Sequence, residues 1–172
     1  MRSRAEHIPL YEQQLRDHIR AHGNDLDAQA VNFNLFRTST DLLSEMEAVA
    51  LRPLGLTHAG FVILMTLWIT GARETRELAR VLRVSKPAIV SAVDTLERSG
   101  LVRRERSRAD RRLVSVALTP AGTRLVSRAH DRWHGEERRT AAVLTRTEQR
   151  TLAGLLRKLR TAISRQEFEA TA

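Results

Sequence analysis

Apolar residues recur along this chain mostly at helical spacing. In residues 5–21, Ile8, Leu10, Leu15 and Ile19 sit among charges and predict a weakly amphipathic helix, interrupted early by Pro9. Gly23 and Asn24 break the pattern. From Asp27 it strengthens through Val31, Leu35, Leu42, Leu43, Met46 and Val49 and predicts one helix ending before Pro53. Pro53, Leu54, Gly55, Leu56 and Thr57 read as a turn with Thr57 as N-cap. The segment that follows is apolar almost all round (Phe61, Val62, Ile63, Leu64, Met65, Leu67, Trp68), as a helix at the centre of a core is, and Gly71 closes it.

The next elements are shorter. Thr75–Leu82 reads as a helix with the stripe Leu78, Ala79 and Leu82; Arg83 and Val84 make a tight connection. Ser85 then caps a helix reaching Ser99, with Pro87 in its first turn and Gly100 as its stop. Two strands are predicted, Leu101–Arg106 and Leu113–Leu118, around a polar tip at Ser107–Arg112. Thr119 and Pro120 open a long helix through Leu125, Val126, Ala129 and Trp133 to about Val143. A last helix, with Thr147 as its expected cap, carries Leu152, Leu155, Leu156, Leu159 and Ile163. Helix, short turn, helix, glycine stop and hairpin is the order of a winged helix-turn-helix. The first turn of its second helix would enter the major groove of DNA. With Ile89, Val93 and Leu96 facing inward, Ser85, Lys86, Pro87, Val90 and Ser91 face out. Ser85 and Lys86 can bond phosphates or base edges, Val90 can meet a thymine methyl, and the helix N-terminus offers backbone N–H groups to a phosphate.

Composition sharpens this reading. The chain has 172 residues, no cysteine, and 29 basic against 20 acidic residues, for a net charge of +9. Only Lys86 and Lys158 are lysine, so the excess is arginine, whose planar fork suits phosphate and guanine edges. Arginine-rich codon usage would give the same totals, so the position of the charge decides. Between Arg73 and Arg112 lie twelve basic and six acidic residues, +6 of the +9. Arg106, Arg108, Arg111 and Arg112 concentrate it at the hairpin, in reach of a minor groove. Thiol catalysis, disulfides and cysteine redox sensing are excluded. Within the uncharged run Pro53–Ala72 the apolar stretch, Thr57–Ala72, is shorter than the roughly 20 residues a membrane span needs. Glu6 and His7 stand where a signal core would be, so the expectation is a cytoplasmic protein with no membrane partner.

From Leu54 to Gly122 the chain resembles the MarR family of bacterial transcription regulators. The matching residues are Leu54–Gly55–Leu56–Thr57, Glu77–Leu78–Ala79, the run Ser85–Gly100 with Val93–Asp94–Thr95–Leu96–Glu97, the wing's Asp110–Arg111–Arg112, and Leu118–Thr119–Pro120–Ala121–Gly122. The resemblance implies a mainly α fold with a small β-hairpin wing, flanked by N- and C-terminal dimerisation helices. It divides the chain into dimerisation helices at 1–52, a winged DNA-binding domain at 53–122 and dimerisation helices at 123–172. It implies a homodimer on a pseudo-palindromic duplex, most often as a repressor. Asp110 and Arg112 would shape the wing, and Arg108 and Arg111 would sit at its tip.

The resemblance also implies a small-molecule effector, aromatic or lipophilic and anionic, in a crevice between the dimer helices and the winged motif. Residues placed to line it are Arg37, His58, Phe61, Met65, Trp68 and Trp133, with Arg37 and His58 facing a carboxylate. Phe61, Met65 and Trp68 lie on the helix that is apolar all round, so they read equally as core. His130 and His134, four apart, have the spacing of two metal ligands, but Phe61 and Val62 stand where zinc-sensing relatives add more ligands. A charged helix surface explains the pair as well, and no metal or cofactor is expected. A helical adaptor using the motif for protein contacts is the remaining alternative, against which the basic wing argues. No glycine-rich phosphate loop, Gly-x-Ser-x-Gly or His-Glu-x-x-His occurs, so no enzyme is indicated.

Overall fold

The computed structural model describes residues 10–21, 25–106 and 114–169, and they are mainly helical. Contacts divide the chain into two units, Met1–Glu45 and Met46–Ala172. In the first lie α1 (Leu10–Ala21) and most of α2 (Leu26–Met46). Asp25 caps α2: its carboxylate accepts from the backbone N–H of Asp27 (2.9 Å) and Ala28 (3.0 Å). Asn34 donates from α2 to the Glu12 carboxylate of α1 at 3.2 Å, and the Tyr11 and Phe33 rings lie 6.0 Å apart.

Periodicity predicts one helix up to Pro53, but α2 ends at Met46. A π-helical turn (Glu47–Leu51) and a 3₁₀ turn (Arg52–Leu54) follow. Proline lacks an N–H and cannot close an α-helical bond back to the Val49 carbonyl, so the helix cannot run on unchanged, although Arg52 keeps right-handed helical angles (φ −55°, ψ −39°). Side chains stabilise the altered turns. Arg132 donates to the Val49 carbonyl at 2.7 Å, and the Glu47 carboxylate accepts the His58 N–H at 3.1 Å.

Helix α3 (His58–Thr70) is capped by Thr57, whose hydroxyl accepts the Gly60 N–H at 3.1 Å. Phe61, Ile63, Leu64 and Leu67 are buried, and α3 packs on the π-helical turn before it and on three helices and a strand that follow it. Strand β1 (Arg73–Glu74), α4 (Thr75–Leu82), α5 (Lys86–Arg98), β2 (Val102–Arg106) and β3 (Val114–Leu118) follow. The wing is therefore a three-stranded antiparallel sheet of order β1-β3-β2, where the sequence predicts two strands. Arg73 pairs with Val116, and β2 pairs from Val102↔Leu118 to Arg106↔Val114. Val116 is buried in the core and Val114 exposed, so β3 leaves the core toward the tip.

Helix α6 (Pro120–Ala141) begins where the wing closes. The Thr119 N–H donates to the Leu101 carbonyl at 3.0 Å, and its hydroxyl donates to the Gly100 carbonyl at 2.7 Å. The same hydroxyl accepts the Gly122 N–H at 3.0 Å. This closure presses Gly122 onto the turn after α5: a Cβ there would sit 2.0 Å from the Leu101 carbonyl oxygen. Helix α7 (Arg146–Glu169) is capped by Thr145 rather than Thr147. The Glu148 carboxylate accepts from both the hydroxyl and the N–H of Thr145 at 2.7 Å, and the Glu148 N–H returns to that hydroxyl at 3.3 Å. These bonds hold the Glu148 carboxyl below its usual range, with the bond from the Thr145 hydroxyl the largest cause. Leu152, Leu155, Leu156, Leu159 and Ile163 form a stripe along α7 and are all exposed. Among the described residues no single helix is long and apolar enough to cross a membrane.

Gly122→Ala is expected to cost about 2 kcal/mol or more, because backbone must move to admit the methyl group. In a chain of this size that lowers the melting temperature by roughly 4–8 °C. Gly135→Ala, on the same helix with nothing within 4 Å of the added carbon, leaves it unchanged or raises it. Thermal melts followed by circular dichroism compare the two; equal melting temperatures would remove the close approach as the reason for glycine at 122.

Candidate nucleic-acid interface

The first turn of α5 is presented to solvent. Ser85, Lys86, Pro87 and Ser91 are exposed, whereas Ile89, Val93 and Leu96 are buried. Val90 is half-buried, with one flank on the core, so only its outer side faces outward. The sequence suggests several backbone N–H groups here for a phosphate, but most are committed. The Ala88 N–H goes to the Ser85 hydroxyl at 3.4 Å, the Ile89 N–H goes to the Ser85 carbonyl at 3.1 Å, and Pro87 has none. The Lys86 amide alone stands outside these bonds in that turn. An anion at this end would meet the Lys86 ammonium, that amide and the Ser85 hydroxyl proton.

The turn before α5 is tight because Arg83 adopts the left-handed conformation at φ 52°. The Val84 N–H then reaches back to the Ala79 carbonyl at 3.1 Å and ends α4. A non-glycine residue there costs on the order of 1 kcal/mol, offset by the packing of Leu78 and Ile89 against the same core. At its other end α4 has a capping box, in which Glu77 accepts the Glu74 N–H at 3.3 Å.

The described acids of this segment are each held by their own chain. Glu74 pairs with Arg76 at 2.6 Å, and Glu105 with Arg103 at 2.6 Å. Glu77 serves the capping box. Asp94 and Glu97 on α5 converge on Arg104 of β2, whose guanidinium bonds Asp94 at 2.5 Å and also bonds Glu97. The Arg104 pKa is raised above its usual value, first by the hydrogen bond to Asp94. Pairs this exposed contribute roughly 0.2–1 kcal/mol each, so they position groups more than they stabilise the fold. Sequence reasoning did not single out this cluster. Its signal was present in two acids three apart on one helix flank and an arginine just past the glycine stop. Arg106 is the last residue of β2, opposite Val114. Arg108, Asp110, Arg111 and Arg112 lie outside the described residues.

The residues expected at an effector crevice separate into groups. His58, Phe61 and Trp133 come together: Trp133 stacks on Phe61 at 5.0 Å and on His58 at 5.8 Å, and its indole N–H donates to Glu137 at 2.9 Å. Phe61 is buried and Met65 packs on the core. Trp68 is partly exposed and meets His130 edge-on at 5.5 Å. Arg37 is exposed on α2, in the other unit. A cleft of about 200 Å³ that the sequence did not reveal opens between α3 and the α4–α5 corner. It is lined by His58, Ala59, Val62, Leu82, Val84 and Ala88, with Ile89 and Ala92 of α5. The His130 and His134 rings lie parallel at 6.2 Å, and His134 bonds Glu137 at 3.1 Å. Among the described residues no three His, Asp or Glu side chains are grouped to hold a metal ion.

This arrangement has close relatives. Residues 56–114 match the model of the MarR family, over the core helix, the helix-turn-helix and the start of the last wing strand. An uncharacterized HTH-type transcriptional regulator of Bacillus subtilis, YwaE, is 34% identical over 78% of this chain and 79% of its own length. The structure of an Escherichia coli MarR mutant complexed with operator DNA superposes with a TM-score of 0.70 at 26% identity, covering 79% of this chain and 99% of that one. Bordetella bronchiseptica BpsR, from work on regulation of its DNA binding by 6-hydroxynicotinic acid, gives 0.68 at 25% identity over 76% and 98% of the two chains. With the exposed recognition turn, the three-stranded wing and the Thr119–Gly122 closure in place, the chain belongs to the MarR family of DNA-binding transcription regulators, which are not enzymes.

Proposed function

We propose that this regulator is a cytoplasmic homodimeric repressor that grips a pseudo-palindromic duplex and releases it when a small aromatic or lipophilic anion binds. One observation carries the DNA side of this reading. The exposed first turn of α5 begins a helix whose second half is tied to β2, and basic residues outnumber acids twelve to six in this segment, so the field around it is positive. In this reading Ser85, Lys86, Pro87, Val90 and Ser91 serve the major groove. Arg106, Arg108, Arg111 and Arg112 serve the wing's minor-groove contact, with Asp110 shaping the tip. Residues 53–122 are then the DNA-binding domain, and 1–52 and 123–172 supply the dimer contacts. The exposed stripe of α7 supports that assignment, since an apolar surface of this length on a soluble regulator needs a cover.

The cleft beside α5 supports the effector side. Its apolar walls suit a compact ring, and His58 stands at its edge, stacked on Trp133. A ring seated there pushes on Ala88, Ile89 and Ala92 of α5 and changes the spacing of the two recognition helices. Half-sites lie about one helical turn, roughly 34–36 Å, apart, so a dimer of altered spacing loses the duplex. The ligand needs only a higher affinity for the altered spacing. His58, at the edge of the cleft, is the group assigned to its carboxylate, whereas Phe61, Met65, Trp68 and Trp133 do not line this cleft.

Duplex binding is expected to weaken steeply with salt, and Lys86→Ala and Arg112→Ala each to reduce the slope of log affinity against log salt by about one. Fluorescence anisotropy at several salt concentrations measures this, and a slope unchanged in both variants would remove them from the phosphate contacts. Sedimentation of the wild-type chain should give a dimer and Leu155→Glu/Leu159→Glu a monomer; a wild-type monomer at micromolar concentration would end the dimer assignment. Titrating the DNA complex with benzoate-type carboxylates should release the duplex. Ala59→Leu, at the mouth of the cleft, should block release while leaving DNA affinity intact. Release that persists in that variant would place the effector elsewhere.

A further inference from the structure

One side chain touches both DNA-reading elements and has no part in the contacts assigned above. Arg104 stands in β2 opposite Val116, which is fully buried, so the sheet holds its backbone. Its own N–H donates to the Glu97 carboxylate of α5 at 3.0 Å. Its guanidinium spans from Glu97 to Asp94, one turn earlier on the same helix flank. Three charge-assisted bonds therefore cross from one strand residue to the second half of the recognition helix. The helix cannot roll or tilt against the wing without breaking at least one of them.

The same bonds manage a liability. Asp94 and Glu97 are two carboxylates on the helix that enters a phosphate-lined groove, and both side chains are more than a third exposed. Held toward β2, they lie against the wing. Unpaired, they would turn toward the phosphates and repel them. Arg104 itself is committed to these two partners on the flank of α5.

We propose that Arg104 is a positioning residue for sequence recognition: it locks α5 to the wing strand at one angle and keeps Asp94 and Glu97 off the DNA. The inference rests on the assignment of α5 and the wing to the two grooves. It predicts a separation between two kinds of binding. Specific binding requires helix and wing to fit their grooves together, whereas non-specific binding needs only positive charge near phosphate.

The test uses a duplex of roughly one to two half-site spacings enriched from a random library by the wild-type protein, and a scrambled duplex of the same composition. Arg104→Met should lose about tenfold or more in affinity for the enriched duplex, but less than about threefold for the scrambled one, with the salt slope unchanged. Adding Asp94→Asn and Glu97→Gln to Arg104→Met should restore part of the loss, which a purely structural role would not do. Amide hydrogen exchange without DNA should speed up across residues 94–106 in Arg104→Met, with the melting temperature close to wild type. Equal losses on both duplexes with a slope lower by about one would make Arg104 a phosphate contact and overturn the proposal. Unchanged affinity and unchanged exchange would also overturn it. If the wild-type protein enriches no duplex, the groove assignment fails, while the exchange comparison still decides whether Arg104 locks the helix to the strand.

Discussion

Helix α3 has no polar face to offer to water. Thirteen residues, His58–Thr70, carry apolar side chains nearly all round, and burying Phe61, Ile63, Leu64 and Leu67 contributes about 1.5–3 kcal/mol each before entropy is counted. That surface must be covered from several sides at once. The π-helical turn, α4, α5, β3 and α6 are the cover, and each turns its own small apolar set inward: Leu51, Leu78, Ile89 and Val93, Val116, Val126. The outward faces of α4, α5 and the wing are then fixed relative to one another by what they bury. The exposed first turn of α5 is a consequence of Ile89, Val93 and Leu96 pointing at α3.

Two polar devices reinforce the placement that packing gives the wing. One is the closure in which Thr119 bonds both carbonyls after α5 while capping α6 through Gly122. It ties the end of β3 to the start of β2 with no side chain between the backbones. The other is the pairing of Arg104 with Asp94 and Glu97. Neither device adds much stability, since the groups are partly solvated. Each removes a rotation, and for a surface that must match two grooves that matters more than energy.

Local chemistry was legible in the sequence. Thr57, Ser85 and Thr119 cap their helices as read, and Gly71 and Gly100 take positive φ at the stops, because a cap is decided by residues within one turn. Errors arose where the partner is remote or a local choice was close. Strand β1 is two residues long and exists only because β3, some forty residues later, pairs with it. The π-helical turn depends on Arg132 reaching Val49 from another helix. Thr145 displaces Thr147 as cap because Glu148 stands three residues after it and answers its N–H. The suggestion of free N–H groups at the start of α5 failed because Ser85 uses two of them itself.

The charge shows most clearly where sequence stops and tertiary structure begins. Counting residues placed +6 of the +9 between Arg73 and Arg112 and made DNA the natural partner. The count treats every arginine alike. The folded chain does not: Arg76, Arg103 and Arg104 are turned onto Glu74, Glu105, Asp94 and Glu97. Sequence by itself determined the order of the winged motif's helices and hairpin, most of the caps, the family and the sign of the field, because these follow from short-range pattern and composition. Only tertiary structure decided which cations reach outward, which tie helix to wing, and that a cleft opens between α3 and α5. Those outcomes depend on distances between residues far apart in the chain, which no local pattern encodes.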